Sequence, residues 1–389
     1  MEIENTSTAC HICGVQALDI FDGYDAFSQV TSDSRSWRSG SNIAICRSCS
    51  SVQKVIDDQW KHTANEIYKH YEIYSQAGGE EQRIFDQSTG IAKSRSEYLI
   101  DGLLVNFSLP KSGRLLDVGC GNGALLRAFS EAVSGWQLSG FEIDDKHRVT
   151  VEDIPGVEAF YTGEIGDIPG QFDVIFMVHV LEHIPEPVNF IKRIKQKLKA
   201  GGLLIIEVPN LAANPFDLLI ADHCTHFTKQ TLSEAMEMAG FRVVFAETSL
   251  VPKEISLVAC EDNGEWLNKD SKMDKKLSND NGLARDHMRW LKAFLEKAQE
   301  VEGEAFGVFG TSIVATWLAG ELEDKIKFFV DEDSSRQGTQ FFGKPVLSPD
   351  EVPEVATVFL GLPSLAAENV YARLCNSKFK IVCPPPYYV

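Results

Sequence analysis

The sequence predicts an α/β fold built on a parallel sheet with helices on both faces. Three observations carry this. Apolar runs of strand length alternate with helical stretches from Arg114 to Val208. The first run, Leu115-Leu116-Asp117-Val118, ends in an acid. It feeds the turn Gly119-Cys120-Gly121-Asn122-Gly123 and then a helical pattern beginning Ala124-Leu125-Leu126. The second run, Gln137-Leu138-Ser139-Gly140-Phe141, ends at Glu142, 25 positions after Asp117. Strand, glycine turn and helix in that order open a nucleotide-binding sheet. The three glycines let the backbone approach a ligand where a Cβ would collide. An acid just before them repels a pyrophosphate and suits an ammonium or a hydroxyl. The second acid sits near the roughly 20-residue offset at which a carboxylate binds ribose hydroxyls.

The run from Asp117 to Gly123, followed by Gly140-Phe141-Glu142-Ile143-Asp144, resembles the class I S-adenosylmethionine-dependent methyltransferases. The resemblance implies a seven-stranded Rossmann-like methyltransferase core. It implies that the glycine loop cradles the amino-acid end of S-adenosylmethionine and that Glu142 holds the ribose. The expected cofactor-binding residues are Asp117, Gly119, Gly121, Gly123, Glu142, Ile143, Glu164 and His179. Glu164 reads either as an acid facing the adenine or as a solvated loop residue.

Residues 1–76 read as a zinc-binding module and a connecting helix. Cys10-His11-Ile12-Cys13 and Cys46-Arg47-Ser48-Cys49 are two knuckles whose thiolates can converge on one ion. Four sulfurs in a tetrahedron are what zinc prefers in a structural role. Redox or disulfide pairing of Cys10, Cys13, Cys46 and Cys49 is the alternative. The strand-like runs Gln16–Phe21 and Ile43–Ile45 lie between the knuckles, and His11 reads as a solvated neighbour. Residues 51–76 read as helical and then extended. Tyr68, Tyr71 and Tyr74 near the end suit either a ligand wall or interdomain packing. Gly78-Gly79 marks a loop.

Residues 77–263 hold the methyltransferase pattern. A helix over Thr89–Asn106 leads into strands at Arg114–Val118, Gln137–Ile143, Val157–Tyr161, Phe172–Val178 and Leu203–Val208. An antiparallel pair, Phe241–Glu247 and Ile255–Cys260, closes the sheet. Residues 264–304 form a helical bridge with Trp290, Leu291, Phe294 and Leu295 on one stripe. Residues 305–389 read as a smaller C-terminal Rossmann-like α/β domain, with strands at Phe306–Phe309, Lys327–Val330, Thr357–Leu360 and Lys380–Cys383. Its glycine turn lacks the full dinucleotide fingerprint, so it reads as a packing domain that helps close a substrate cleft.

Composition bounds the function. The 389 residues carry a formal net charge of −19, which argues against a nucleic-acid surface. No run approaches the ~18 apolar residues of a membrane span. The start of the chain shows neither a basic nor an apolar leader segment. With nine cysteines, an odd number, the expected location is a reducing cytoplasm. The expected partner is a small molecule rather than nucleic acid or membrane, and the expected state is a monomer or homodimer.

Ligands of an open parallel sheet lie beyond the carboxyl ends of its strands. Three segments meet there: the run from His179 to Pro185, Val208-Pro209-Asn210, and the run from Asp222 to Thr228. They bring His179, His183, His223 and His226 toward the cofactor's methyl end. Histidine titrates near neutrality and serves as a general base. Asp222 is expected to orient His223. No full metal-ligand set stands at metal spacing among these histidines.

The order of zinc module, methyltransferase core and Rossmann-like C-terminal domain resembles the sugar C-methyltransferases of deoxysugar pathways. Those enzymes methylate C-3 of nucleotide-linked 4-ketosugars. The resemblance implies catalytic roles for His183 and for the pair Asp222-His223. Ile220 stands where that family has a tyrosine, and Val251-Pro252-Lys253-Glu254 stands where it has His-Gly-Gly. The implied chemistry is removal of a proton beside a carbonyl by His223 or His183, with a histidine or Lys253 facing the enolate oxygen. Oxygen methylation of a sugar uses the same base on a hydroxyl. A non-catalytic S-adenosylmethionine-binding partner protein is the reading from another class.

Overall fold

The computed structural model describes residues 9–38, 40–72, 81, 83–85, 92–261, 282–303 and 305–387. The Gly78-Gly79 loop, Tyr74, residues 89–91 and the first part of the bridge lie outside the described residues, while Ala92–Ser94, expected to be helical, is a strand paired antiparallel with Arg83–Phe85.

The central sheet has seven strands. They are β1 (Arg114–Val118), β2 (Gln137–Phe141), β3 (Val157–Tyr161), β4 (Phe172–Val178), β5 (Leu198–Pro209), β6 (Arg242–Glu247) and β7 (Glu254–Cys260). Their order is 3-2-1-4-5-7-6. The first five run parallel, and β7 is antiparallel to both β5 and β6. Strands buried on both faces need continuous apolar runs, and Val174, Ile175, Phe176 and Met177 of β4 are fully buried. The topology reverses between β1 and β4, so a crevice opens beyond their carboxyl ends. The helix Arg95–Asn106 precedes β1 and starts in a capping box between Ser94 and Glu97.

The N-terminal region builds a second sheet from Leu18–Ile20, Ile43–Cys46 and Val52–Lys54. Its fourth strand is Thr225–His226, which comes from the loop between β5 and β6. The segment after residue 51 therefore departs from the helix expected there. Val52–Lys54 is a buried strand paired on both sides, and the helix begins at Asp58, capped by the Asp57 side chain. Ladder pairing on two edges outweighs local helical periodicity over so short a run.

A third sheet of six strands contains Phe306–Phe309, Phe328–Val330, Gln340–Phe341, Lys344–Leu347, Thr357–Leu360 and Lys380–Val382. All its pairs are parallel except that of Gln340–Phe341 with Lys344–Leu347. The bridge helix Leu283–Glu300 buries Trp290, Leu291, Phe294 and Leu295. Phe294 stacks on Trp317 and meets Phe216 and Phe359 edge-on, at centroid distances of 5.9, 5.2 and 5.1 Å. One ring thus joins the helix to the C-terminal sheet and to the 3-10 helix Pro215–Leu219 of the central region.

Phe294→Ala leaves a cavity where these three elements meet. It is expected to lower unfolding stability by about 3–5 kcal/mol, read as a drop in denaturant midpoint. An unchanged midpoint would mean that the bridge packs elsewhere.

Candidate active site

The glycine turn after β1 is shaped by its backbone. Gly119 has φ 74°, and a Cβ there would lie 2.3 Å from Val180 Cγ2. Gly123, with φ 82°, precedes the helix Ala124–Ala132, and a Cβ there would meet Ile154 Cδ1 at 2.5 Å. Both positions require glycine. The second acid reaches back to this turn. Glu142 accepts the Gly121 N–H at 2.9 Å through Oε2 and the Ile143 N–H at 2.8 Å through Oε1. Ile143 is 74% exposed beside it. Asp117 is buried. Burial, with Glu142 and Glu81 nearby, pushes its carboxyl up to about 8. Such a group favours a cationic ligand, which restores the charge that burial penalises. Glu164 points away. It is exposed and pairs with Arg193 at 3.3 Å, which fits the solvated reading.

His179 occupies the end of β4 with a left-handed backbone, φ 53°, and donates its N–H to the Glu207 carbonyl at 2.9 Å. Its ring lies 3.3 Å from Glu182 Oε1 and 3.9 Å from both Glu207 Oε1 and Glu254 Oε1. Arg95 approaches the same ring at 3.3 Å and Glu254 at 3.4 Å. Burial alone lowers a histidine; the Glu254 and Glu182 carboxylates reverse this and hold His179 up at about 9. Burial raises Glu207 to about 7. His179 is thus the cationic centre of a buried acidic floor.

The remaining histidines form a second cluster. His223 Nδ1 is 2.7 Å from Asp217 Oδ1, and His226 Nδ1 is 2.6 Å from Asp217 Oδ2. One buried carboxylate therefore orients two imidazoles. His183 stands edge-on to His223, centroids 4.7 Å apart, and its Nδ1 faces the Asp222 carbonyl at 3.1 Å. Tyr68 meets the His183 ring at 6.2 Å, and Tyr71 packs on Tyr68 at 5.9 Å behind it. Burial would lower His223, but Asp217 offsets it and holds the imidazole above its usual value. Burial and the neighbouring His223 lower His183. Burial would raise Asp217; His226 and His223 draw it well below the carboxylate range.

Two expectations need correction here. The acid that orients His223 is Asp217 and not Asp222. The Asp222 carboxylate is turned to the N-terminal region, where it accepts the Ser32 N–H at 2.8 Å and hydroxyl at 2.5 Å, with His183 Nδ1 at 3.5 Å. Sequence adjacency misled because consecutive side chains of an extended loop point apart. His226 shares the Asp217 carboxylate with His223. His11 is not a solvated neighbour. Its Nδ1 lies 2.8 Å from Thr225 Oγ1 and its N–H donates to Gln53 Oε1 at 2.8 Å, which ties the first knuckle to the strand carrying His226.

Sequence reasoning also missed Lys54. It is fully buried behind Asp217, hydrogen-bonded to Tyr24 Oη, and burial lowers its ammonium to about 7. No local pattern marks Asp217 or Lys54, because both act across chain-distant contacts.

Cys10, Cys13, Cys46 and Cys49 converge, with all four sulfurs within 4.8 Å of one another. Cys10 to Cys49 measures 3.5 Å and Cys13 to Cys46 measures 3.6 Å. A zinc tetrathiolate with bonds of about 2.3 Å has edges of about 3.8 Å, so the donor set fits such an ion. All four cysteines are free, which disfavours the disulfide alternative.

A family model described as a methyltransferase domain matches residues 91–245. Among curated proteins, a ubiquinone biosynthesis O-methyltransferase of Bordetella bronchiseptica is 31% identical over 117 residues, covering 28% of this chain and 46% of that protein. Another of that name from Albidiferax ferrireducens is 32% identical over 127 residues, 30% of this chain and 49% of that protein. The chain spans about half the length of these relatives. Among solved structures, a mitomycin 7-O-methyltransferase is similar with TM-score 0.40 and 18% identity, covering 52% of this chain and 60% of that one. Sheet order, glycine turn and family match together define residues 91–245 as a class I methyltransferase domain of the S-adenosylmethionine-dependent type. No helix among the described residues is long and apolar enough to cross a membrane.

Removing the Glu142 carboxylate frees the Gly121 and Ile143 N–H groups and any ribose hydroxyls it would bind. Charged hydrogen bonds of this kind contribute about 1.5–3 kcal/mol. Glu142→Ala is expected to bind S-adenosylmethionine at least about tenfold more weakly in calorimetry. Equal affinity would exclude this carboxylate from the cofactor site.

Proposed function

We propose that the chain is an S-adenosylmethionine-dependent methyltransferase acting on a small nucleotide-linked ketosugar, with transfer to carbon. The observation that carries this reading is the His223–Asp217 pair, a buried base oriented by a carboxylate in the loop that follows β5. The net charge of −19 disfavours a nucleic-acid substrate and supports a small one.

Asp117, the glycine turn, Glu142 and Ile143 would hold the cofactor. S-adenosylmethionine supplies an electrophilic methyl group when bound there. His223 takes the substrate proton on Nε2, since Nδ1–H is held by Asp217. The Asp217 carboxylate stabilises the imidazolium that forms. His183 and the two tyrosines wall the substrate, and Tyr68 and Trp60 exclude water from one side. Lys253, which immediately precedes β7, would serve as a donor for a developing enolate oxygen. The four cysteines would hold a zinc ion in a structural role.

Oxygen methylation is the second reading, favoured by the names of the curated relatives matched over this domain. The same base then takes a hydroxyl proton. NMR of the product from a nucleotide-sugar panel separates the two linkages.

His223→Ala is expected to lose turnover by roughly 10²–10⁴-fold while cofactor affinity holds. Wild-type turnover in that variant would move the base elsewhere. The pH profile tests the orienting acid. His223 must be neutral to act, so the rate should rise with pH through a value above the ordinary histidine pKa of about 6.5. Asp217→Asn removes the anion that raises it, so the acid limb should shift to lower pH as turnover falls. An unmoved limb would exclude His223 as the titrating base.

Metal analysis is expected to find about one equivalent of zinc in protein purified without chelator. Cys46→Ser should lose it and lower thermal stability, with S-adenosylmethionine still bound. Retention of the ion in that variant would exclude the four-sulfur site.

A further inference from the structure

We infer that Glu182, His183 and His223 form a binding site for a divalent transition-metal cation of the zinc, cobalt or nickel class, distinct from the four-cysteine cluster. One ligand atom from each of the three lies within 4.8 Å of the others, and all three side chains are largely buried. The hydrogen bonds fix which atoms are available. His183 Nδ1 faces a backbone carbonyl, so that nitrogen carries the proton and Nε2 carries the lone pair. His223 Nδ1 faces the Asp217 carboxylate, with the same result. The two rings stand at 88° to each other with centroids 4.7 Å apart. Glu182 Oε1 is engaged by His179, whereas Oε2 is buried without a hydrogen-bond partner.

Two imidazole lone pairs and an unpartnered carboxylate oxygen are a donor set that zinc and its neighbours accept. Each histidine also donates its other ring N–H to an oxygen, as metal-bound histidines do. A cation would satisfy the orphaned Glu182 oxygen, whose burial otherwise carries an unrelieved cost. Spacing concealed the set. Glu182 and His183 come from the 3-10 turn Leu181–His183, and His223 comes from a loop on the far side of β5.

Bound metal would occupy the Nε2 lone pair that proton removal needs, so occupancy inhibits methyl transfer. This consequence rests on the proposed function; the binding itself does not.

The test is calorimetric titration of Zn²⁺ into the full chain with its cysteine cluster already loaded. One further equivalent is expected. Glu182→Gln and His183→Asn should each weaken it at least tenfold, and Asp217→Asn by roughly 10–100-fold through loss of His223 orientation. Co²⁺ supplies a second readout. At this site it should give weak visible bands of nitrogen and oxygen ligation, without the intense charge-transfer absorption of a thiolate site. Absence of the further equivalent, its persistence in both Glu182→Gln and His183→Asn, or thiolate-type absorption from it would overturn the inference. Methyl transfer should fall in step with occupancy. An active enzyme with no second equivalent defeats the metal site alone, and a second equivalent on a chain that transfers no methyl group even when this site is metal-free defeats the proposed function alone.

Discussion

The candidate site depends on a single buried carboxylate. Asp217 divides its two oxygens between His223 and His226, and its charge is tolerated because both oxygens are engaged. A buried ion left without these partners would be costly by several kcal/mol. Its location depends on packing far from the cofactor. Phe216, the residue before it, is buried against Trp290, Phe294 and Trp317. His226, on its other side, is held in a strand of the N-terminal sheet. The carboxylate therefore sits where all three sheets converge, and it reports the alignment of each.

That convergence changes the meaning of the cysteine cluster. His11 lies between two of its sulfur ligands and reaches Thr225, the neighbour of His226. Lys54 leaves the same sheet and lies behind Asp217. Ser32, also N-terminal, holds Asp222 beside His183. An element that reads as a separable knuckle in the sequence supports the back wall of the histidine cluster. A structural ion there would act on the site through rigid strands, with no contact to a substrate.

The two glycine turns show how similar local patterns acquire different surroundings. In the first, Asp117 has carboxylates for neighbours, Glu142 and Glu81, and is driven toward its neutral form. In the second, Asp331, which follows the next strand, Phe328–Val330, as Glu142 follows Gln137–Phe141, accepts the Thr311 hydroxyl at 2.7 Å and has Arg336 at 3.7 Å. The second acid is satisfied within its own chain, whereas the first is poised for a cation. Strand, glycine turn and helix are common to both; the acids near them stand on different strands and are partnered by different groups.

Local chemistry made much of this legible in advance. The alternating apolar runs predict the strands of the central sheet, because a strand covered on both faces must be apolar throughout. The glycines of residues 119–123 and the acid at Glu142 follow from backbone geometry over a few positions. The paired cysteines announce their cluster because each knuckle is local. The strand at Val52–Lys54, the turn of Asp222 toward Ser32, and the roles of Asp217 and Lys54 were not legible. Each is decided by a partner far away in the chain, and a sequence pattern of short period carries no record of it. Sequence alone thus determined the sheet and the glycine turn with its acids, which are built from near neighbours. Tertiary structure decided which acid orients which histidine, because a buried charge goes where distant elements supply its hydrogen bonds.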